Sequence, residues 1–337
     1  MNKVKPMDYV FANSFIGNYT RFLMTRKDLM RIASARDLET AGQILREFGY
    51  GDARELTDGR NIEEYLKKER KDLKEKIFKT VPDPEVFRFD LLPYDYHNVK
   101  ICLKSELLEK AVDPEKDLIG DGSIPPERLI QLVRDRNSSF LSPQMRKGVS
   151  DALDMYNRSR DPQYIDLVLD RACYREMLDA AEETGVEFLT GFVKVRIDAA
   201  NLGMFLRLRQ LGRPWSFFRD VYLEGGNIPF QLLVSAWEEP YARAAERLDP
   251  YGFREAMAEG GRILKETGSF SAFEKLRDDA VMKYVRDAKY IPVGPEPVQG
   301  YWYAKSKEID NLRIALTGNF YGFSEASVEE RLRETYV

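Results

Sequence analysis

Apolar residues recur along most of this chain at steps of three and four, the spacing of helices that bury one face. Phe22, Leu23, Leu29, Ile32, Ala33, Leu38, Ala41, Ile44 and Leu45 keep that spacing among charged neighbours. Asn61 to Lys76 is rich in charge and carries Ile62, Tyr65, Leu66 and Leu73 on one side, which predicts a solvent-facing amphipathic helix. No long stretch alternates strictly, and no hairpin dipeptide lies between β-branched runs. Prolines gather where helices should end, at Pro82 and Pro84, Pro125 and Pro126, and Pro292, Pro295 and Pro297. The expected fold class is all-α.

The same pattern repeats at longer range. Three segments align without gaps: Asp95 to Lys104, Asp198 to Arg207 and Glu308 to Thr317. Each has an acid, an asparagine three residues later (Asn98, Asn201, Asn311), and apolar residues one, three, four and five beyond it. Offsets of one, four and five share a helical face, and the apolar residue at three widens it. A helix so broadly apolar needs partner helices, which are expected from its own copy. The asparagine at its edge needs hydrogen-bond partners, since leaving an amide buried and unsatisfied costs about 1–3 kcal/mol.

Further landmarks move with the asparagine. Gly122-Ser123-Ile124-Pro125 follows the first motif and Gly226-Asn227-Ile228-Pro229 the second. The glycines read as positive-φ turns or helix caps, with the prolines opening the next helix. Upstream, Ile62 and Leu66 precede Asn98 at the same distances at which Ile165 and Leu169 precede Asn201, and Phe273 and Leu276 hold similar places before Asn311. The expected organisation is three helical repeats, 1–115, 116–223 and 224–337.

Candidate chemistry is sparse. His97 is the only histidine, and Ala200 and Asp310 fall at its place in the other copies, so it reads as a structural polar residue. Histidine-based zinc sites need a second histidine. Position 94 is Tyr, so the Glu-x-x-His spacing of di-iron bundles does not occur. Gly120-Asp121-Gly122-Ser123 and Gly225-Gly226 lack the ending of a phosphate loop and read as turns. The acid pairs Glu182-Glu183, Glu238-Glu239 and Asp278-Asp279 read as solvated helix positions. We therefore expect no catalytic, cofactor or metal residues, and no binding residue can be assigned from spacing alone. The aromatics Trp215, Phe217, Phe218 and Tyr222, and Tyr301, Trp302 and Tyr303, read as core first and as a protein-binding face second.

Composition adds limits. The chain has 337 residues, 43% hydrophobic and 32% charged, which is globular and long enough for more than one core. A net charge of −4 does not suggest a nucleic-acid partner. Cys102 and Cys173 share no ligand or redox spacing, which favours a reducing compartment. Met1-Asn2-Lys3-Val4-Lys5-Pro6 has no signal-peptide core, and the apolar run at Ile228 to Trp237 is too short to span a bilayer.

The triplicated helix, the Gly-x-Ile-Pro turns and the tail resemble the C-type subunits of bacterial and archaeal V-type (A/V-type) ATPases/ATP synthases, which are homologous to the d-type subunit of the vacuolar ATPase. The matching residues are Asp95 to Lys100, Gly294-Pro295-Glu296-Pro297-Val298 leading into Ala304 to Ile314, and Gly322-Phe323-Ser324 with Glu330 to Val337. The first helix departs from the family at Asn13 to Asn18, and Asn319 stands where a lysine is usual and reads as a surface change. The resemblance implies a funnel-shaped, all-helical protein with three lobes in pseudo-three-fold symmetry. It also implies a non-catalytic central-stalk subunit at the cytoplasmic face of the membrane, a socket that serves proton or sodium transport by passing torque. Its partners would be the rotor shaft (D- and F-type subunits) and the membrane ring of proteolipid subunits. A helical-repeat scaffold of an unrelated complex is the alternative.

Overall fold

The computed structural model describes residues 4–51, 53, 56, 58–136 and 140–337. Met1 to Lys3 of the N-terminal hexapeptide lie outside these residues. Among the described residues the secondary structure is helical throughout, with no strand, as the spacing predicts.

Three core helices carry the repeated motif: Leu92–Leu107, Glu187–Gln210 and Pro295–Tyr321. Pro93 and Pro295 stand in the first turn of their helices, where the missing N–H has no intrahelical partner to lose. The apolar residues at one, four and five beyond each asparagine are buried in all three copies, while those at three (Ile101, Met204, Ile314) are half-exposed in all three. The acid and the asparagine of the motif are buried in every copy where they are Asp95 and Asn98, Asp198 and Asn201, and Glu308 and Asn311.

Each asparagine solves its burial in the same way. The Ile119 N–H donates to Asn98 Oδ1 at 2.9 Å, and Asn98 Nδ2 donates back to the Ile119 carbonyl at 2.8 Å. Asn201 makes the same ring with Leu223, both bonds 2.8 Å. Asn311 makes it with Arg333, at 2.9 and 3.1 Å. The side chain thus stands in for a backbone partner, pinning a segment 21 or 22 residues downstream.

The acid three residues earlier holds the turn in two copies. Asp95 accepts from the N–H and hydroxyl of Ser123 and from the Ile124 N–H, at 3.1, 2.6 and 3.1 Å. A Cβ on Gly122 would come within 2.1 Å of Asp95 Oδ1, and one on Gly226 within 2.3 Å of Asp198 Oδ1. Neither glycine has positive φ. These glycines are therefore needed for close approach of a carboxylate, a correction to the expected left-handed turn. In the third copy Glu308 accepts instead from the Met24 N–H, the Tyr50 hydroxyl at 2.7 Å and Lys305 Nζ at 2.6 Å.

The long helix ahead of each core helix does not pack as expected. Gln163–Glu183, which leads into the second core helix, lies antiparallel on the first. There Asp166 pairs with Lys104 at 2.6 Å, Asp170 with Lys100 at 2.7 Å, and the Tyr96 hydroxyl donates to Glu176 at 2.7 Å. Ser271–Arg286, which leads into the third, sends Glu274 to Arg207 at the end of the second, 2.8 Å away. Asn61–Thr80, which leads into the first, lies antiparallel on the third, through Glu63–Arg313, Arg70–Asp310 and the edge-to-face rings of Phe78 and Trp302. Glu63, Asp166 and Glu274 each directly follow the landmark apolar residue of their copy, Ile62, Ile165 and Phe273. Each copy therefore lends its leading helix to the copy before it, and the first lends to the last.

By packing, the chain divides into two compact units. One is formed by Pro84–Met204 and Ser216–Gly226, the other by Lys5–Asp83, Phe205–Trp215 and Asn227–Val337. The first holds the Asn98 and Asn201 rings and the Asp166–Lys104 pair. The second holds the Asn311 ring, the Glu63–Arg313 pair and the Glu274–Arg207 pair.

Candidate docking surfaces

The C-terminal end of every core helix is built alike. The residue eleven beyond the asparagine is left-handed in all three copies: Glu109 (φ 52°), Gly212 (φ 62°) and Gly322 (φ 67°). The next N–H reaches back five residues in each: Lys110 to the Ser105 carbonyl at 2.8 Å, Arg213 to Leu208 and Phe323 to Gly318, both at 2.9 Å. This is the Schellman closure, which satisfies carbonyls that the helix end leaves without partners.

Directly before the left-handed residue stands a large apolar side chain, in open solvent each time. Leu108 is 64% exposed in the first unit; Leu211 and Tyr321 are 70% and 66% exposed in the second. Around Tyr321 the rings of Phe320 and Phe323 gather at 5.0 and 6.2 Å. Trp215, four residues past Leu211, is also exposed.

A different apolar patch lies at the opposite end of the third core helix. Asn13 repeats the amide ring, accepting from the Gly294 N–H and donating to the Gly294 carbonyl, both at 2.9 Å. This ties the first helix, Val10–Thr20, to the turn before Pro295. Exposed Met7 and Phe11 belong to that N-terminal stretch, and exposed Tyr290 precedes the turn. A helix of 27 residues separates the two ends by about 40 Å.

The residues singled out by sequence separate cleanly. His97 is exposed on the first core helix. Trp302 and Phe218 are core, while Trp215 is surface, so the aromatic clusters divide between the two readings. The acid pair Asp278-Asp279 is not merely solvated: Asp278 pairs with Arg333 at 2.8 Å, and Asp279 accepts from the Glu334 N–H at 2.7 Å, fastening the tail. Arg286 and Lys289 donate to the carbonyls of Thr335 and Tyr336 on that same tail. Asn319, expected as a surface change, donates to the carbonyls of Ala33 and Ala35, and so bonds the third core helix to the end of Arg26–Ala33. Cys102 and Cys173 are free and buried. Among the described residues no three His, Cys, Asp or Glu side chains come together as metal ligands, and no helix is long and apolar enough to cross a membrane.

The docking positions at the helix ends escaped the sequence reading although their spacing was available. Leu108, Leu211 and Tyr321 stand at one offset from the asparagines, but periodicity alone does not separate an exposed leucine from a buried one.

Known proteins are similar to this chain over most of its length. It is 24% identical to the C-type subunit of the V-type sodium ATPase of Enterococcus hirae, covering 98% of this chain and 99% of that protein. It is 23% identical to the C-type subunit of the A-type ATP synthase of Halorubrum lacusprofundi and 27% to that of Haloferax volcanii, over 72% of each chain in both comparisons. Residues 12–331 match the family described as ATP synthase (C/AC39) subunit. With nearly its whole length inside that match, and its three asparagine-ringed helices in register, the chain belongs to the family of C-type subunits of V/A-type ATPases and ATP synthases.

Proposed function

We propose that the chain is the non-catalytic central-stalk subunit of a rotary ATPase, a socket that joins the rotor shaft to the ring of proteolipid subunits in the membrane. In this role it passes torque between ATP chemistry and ion translocation, held at the cytoplasmic face with no span of its own. The observation that supports this reading is the exchange of leading helices. Three similar copies that each grip the one before, with the first gripping the last, suit a closed three-lobed socket. Such a closure resists twisting because no copy can turn without dragging the helix it has lent. Exposed apolar side chains at both ends of the third core helix suit a body held between two partners.

Reconstitution tests the reading. The shaft subunits, the catalytic head and the ring-bearing membrane sector are assembled with and without this chain, and ATP hydrolysis is measured together with ion uptake into vesicles. Coupled pumping is expected only with the chain present. Equal coupling without it overturns the reading.

A further inference from the structure

Thirteen large apolar residues stand exposed among those described. Single exposed leucines are ordinary on a protein surface. Three at the same place in three copies are not, when the copies otherwise differ at most positions. Leu108, Leu211 and Tyr321 all stand ten residues beyond their asparagine, all sit directly before a left-handed residue, and all are between 64% and 70% exposed.

The geometry is held firmly in each case. The amide ring on Asn98, Asn201 or Asn311 fixes the helix three turns earlier, and the Schellman bond fixes the helix end. The left-handed residue is kept even where it is Glu109, a residue that adopts such φ only at a cost. A cation accompanies the apolar side chain each time. Lys110 and Arg213 are exposed two residues further on. In the third copy Phe323 takes that place, and the Arg331 guanidinium lies 5.7 Å from its ring centre. An apolar knob with a cation beside it fits a shallow apolar socket flanked by acidic groups.

Repetition narrows the occupant. A single-copy partner offers one surface, and has no use for the same contact built three times. A partner made of identical subunits offers the same socket repeatedly. We propose that Leu108, Leu211 and Tyr321 are docking knobs, one per copy, for a ring of identical subunits. The inference rests on the socket reading above and adds which residues meet the ring. By contrast, the patch of Met7, Phe11 and Tyr290 occurs once and has no counterpart in the other copies.

The test uses the full chain with all three knobs changed together, Leu108→Glu, Leu211→Glu and Tyr321→Glu, and a milder set with Gln in place of Glu. Phe140→Glu, equally exposed but outside the register, is the control. Each protein is first checked for an unchanged helical spectrum and melting temperature. Binding is then measured separately to the detergent-solubilised ring and to the purified shaft subunits. The expected result is at least a tenfold loss of affinity for the ring in both sets, with shaft binding and the control unchanged. Loss of shaft binding with the ring retained, or loss of both in a folded protein, overturns the knob assignment and leaves the socket reading standing. Full ring binding by both sets overturns it as well. If the unmodified chain binds neither ring nor shaft, the socket reading itself falls.

Discussion

Glu63 and Arg313 are 250 residues apart in sequence and joined side by side, Arg313 Nε to Glu63 Oε1 at 2.6 Å and Nη2 to Oε2 at 2.9 Å. The pair stands where the leading helix of the first copy crosses the core helix of the last. Its counterparts, Asp166–Lys104 and Glu274–Arg207, stand at the two other crossings.

Because both partners are more than a third exposed, the Glu63–Arg313 pair should contribute little on its own, about 0.2–1 kcal/mol. Reversing either charge, Glu63→Arg or Arg313→Glu, should lower the urea midpoint slightly. The double reversal should recover most of the loss. A double-mutant cycle with no coupling energy would show that apolar packing alone holds this crossing.

The asparagine rings should matter more. Removing the side chain leaves an N–H and a carbonyl with no partner, a cost of about 1–3 kcal/mol for each of Asn98→Ala, Asn201→Ala and Asn311→Ala. Asn201→Ala should be the worst, since both of its bonds with Leu223 are buried. Hydrogen exchange gives a local readout: the amides of Ile119, Leu223 and Arg333 should lose protection in their own variant and no other.

Gly122→Ala and Gly226→Ala should each destabilise by about 1–3 kcal/mol, because the new methyl group meets a carboxylate oxygen. Gly120→Ala, two residues from Gly122 and with open space around its Cβ, should be close to neutral. Thermal melts of the three variants check the contrast. If Gly122→Ala proves as mild as Gly120→Ala, the turn is looser than its contacts with Asp95 imply.

Asp310 sets a pH dependence. Burial pushes its carboxyl up, but the Lys307 ammonium and the Arg70 guanidinium outweigh burial and hold it below its ordinary value of 3.8. A carboxyl depressed in the folded state adds stability that is complete above its unfolded value and is lost as pH falls through the folded one. The urea midpoint should therefore drop below about pH 4. Asp310→Asn should be less stable at pH 7 and should flatten part of that drop. An unchanged acid limb would assign the loss to other carboxylates, Asp278 among them, which is also held low by its cations.

The two tryptophans should separate folding from docking. Trp302→Ala removes a buried ring packed on Phe78 and should cost about 3–5 kcal/mol. Trp215→Ala, on the surface, should stay within about 0.5 kcal/mol. Chemical denaturation of both variants measures the difference.

Much of this was legible in the residues. The acid–asparagine spacing located three core helices, and the requirement that a buried amide be satisfied anticipated the rings. The identity of the helix that covers each core helix was not legible. Ile62 and Leu66 keep the same distance from Asn98 whether their helix packs on the first copy or the third, so the pattern fixes a face and leaves its partner open. The helix ends were hidden for a different reason. Gly212 and Gly322 advertise a left-handed cap, but Glu109 does not, and the third member of the set was needed to recognise the other two. Gly122 and Gly226 were correctly marked as special and given the wrong cause, because a glycine kept for room looks identical in sequence to one kept for φ.

The exchange of leading helices also sets an order of events during synthesis. Asn61–Thr80 leaves the ribosome long before the helix it will cover exists. At 5–20 residues per second, the 250 residues from Glu63 to Arg313 take roughly 12–50 s to make. Through that interval Ile62, Tyr65, Leu66 and Ile77 have no native neighbour from the last copy. The abundant lysine and glutamate on the rest of that helix keep the waiting segment soluble until the final helix arrives to receive it.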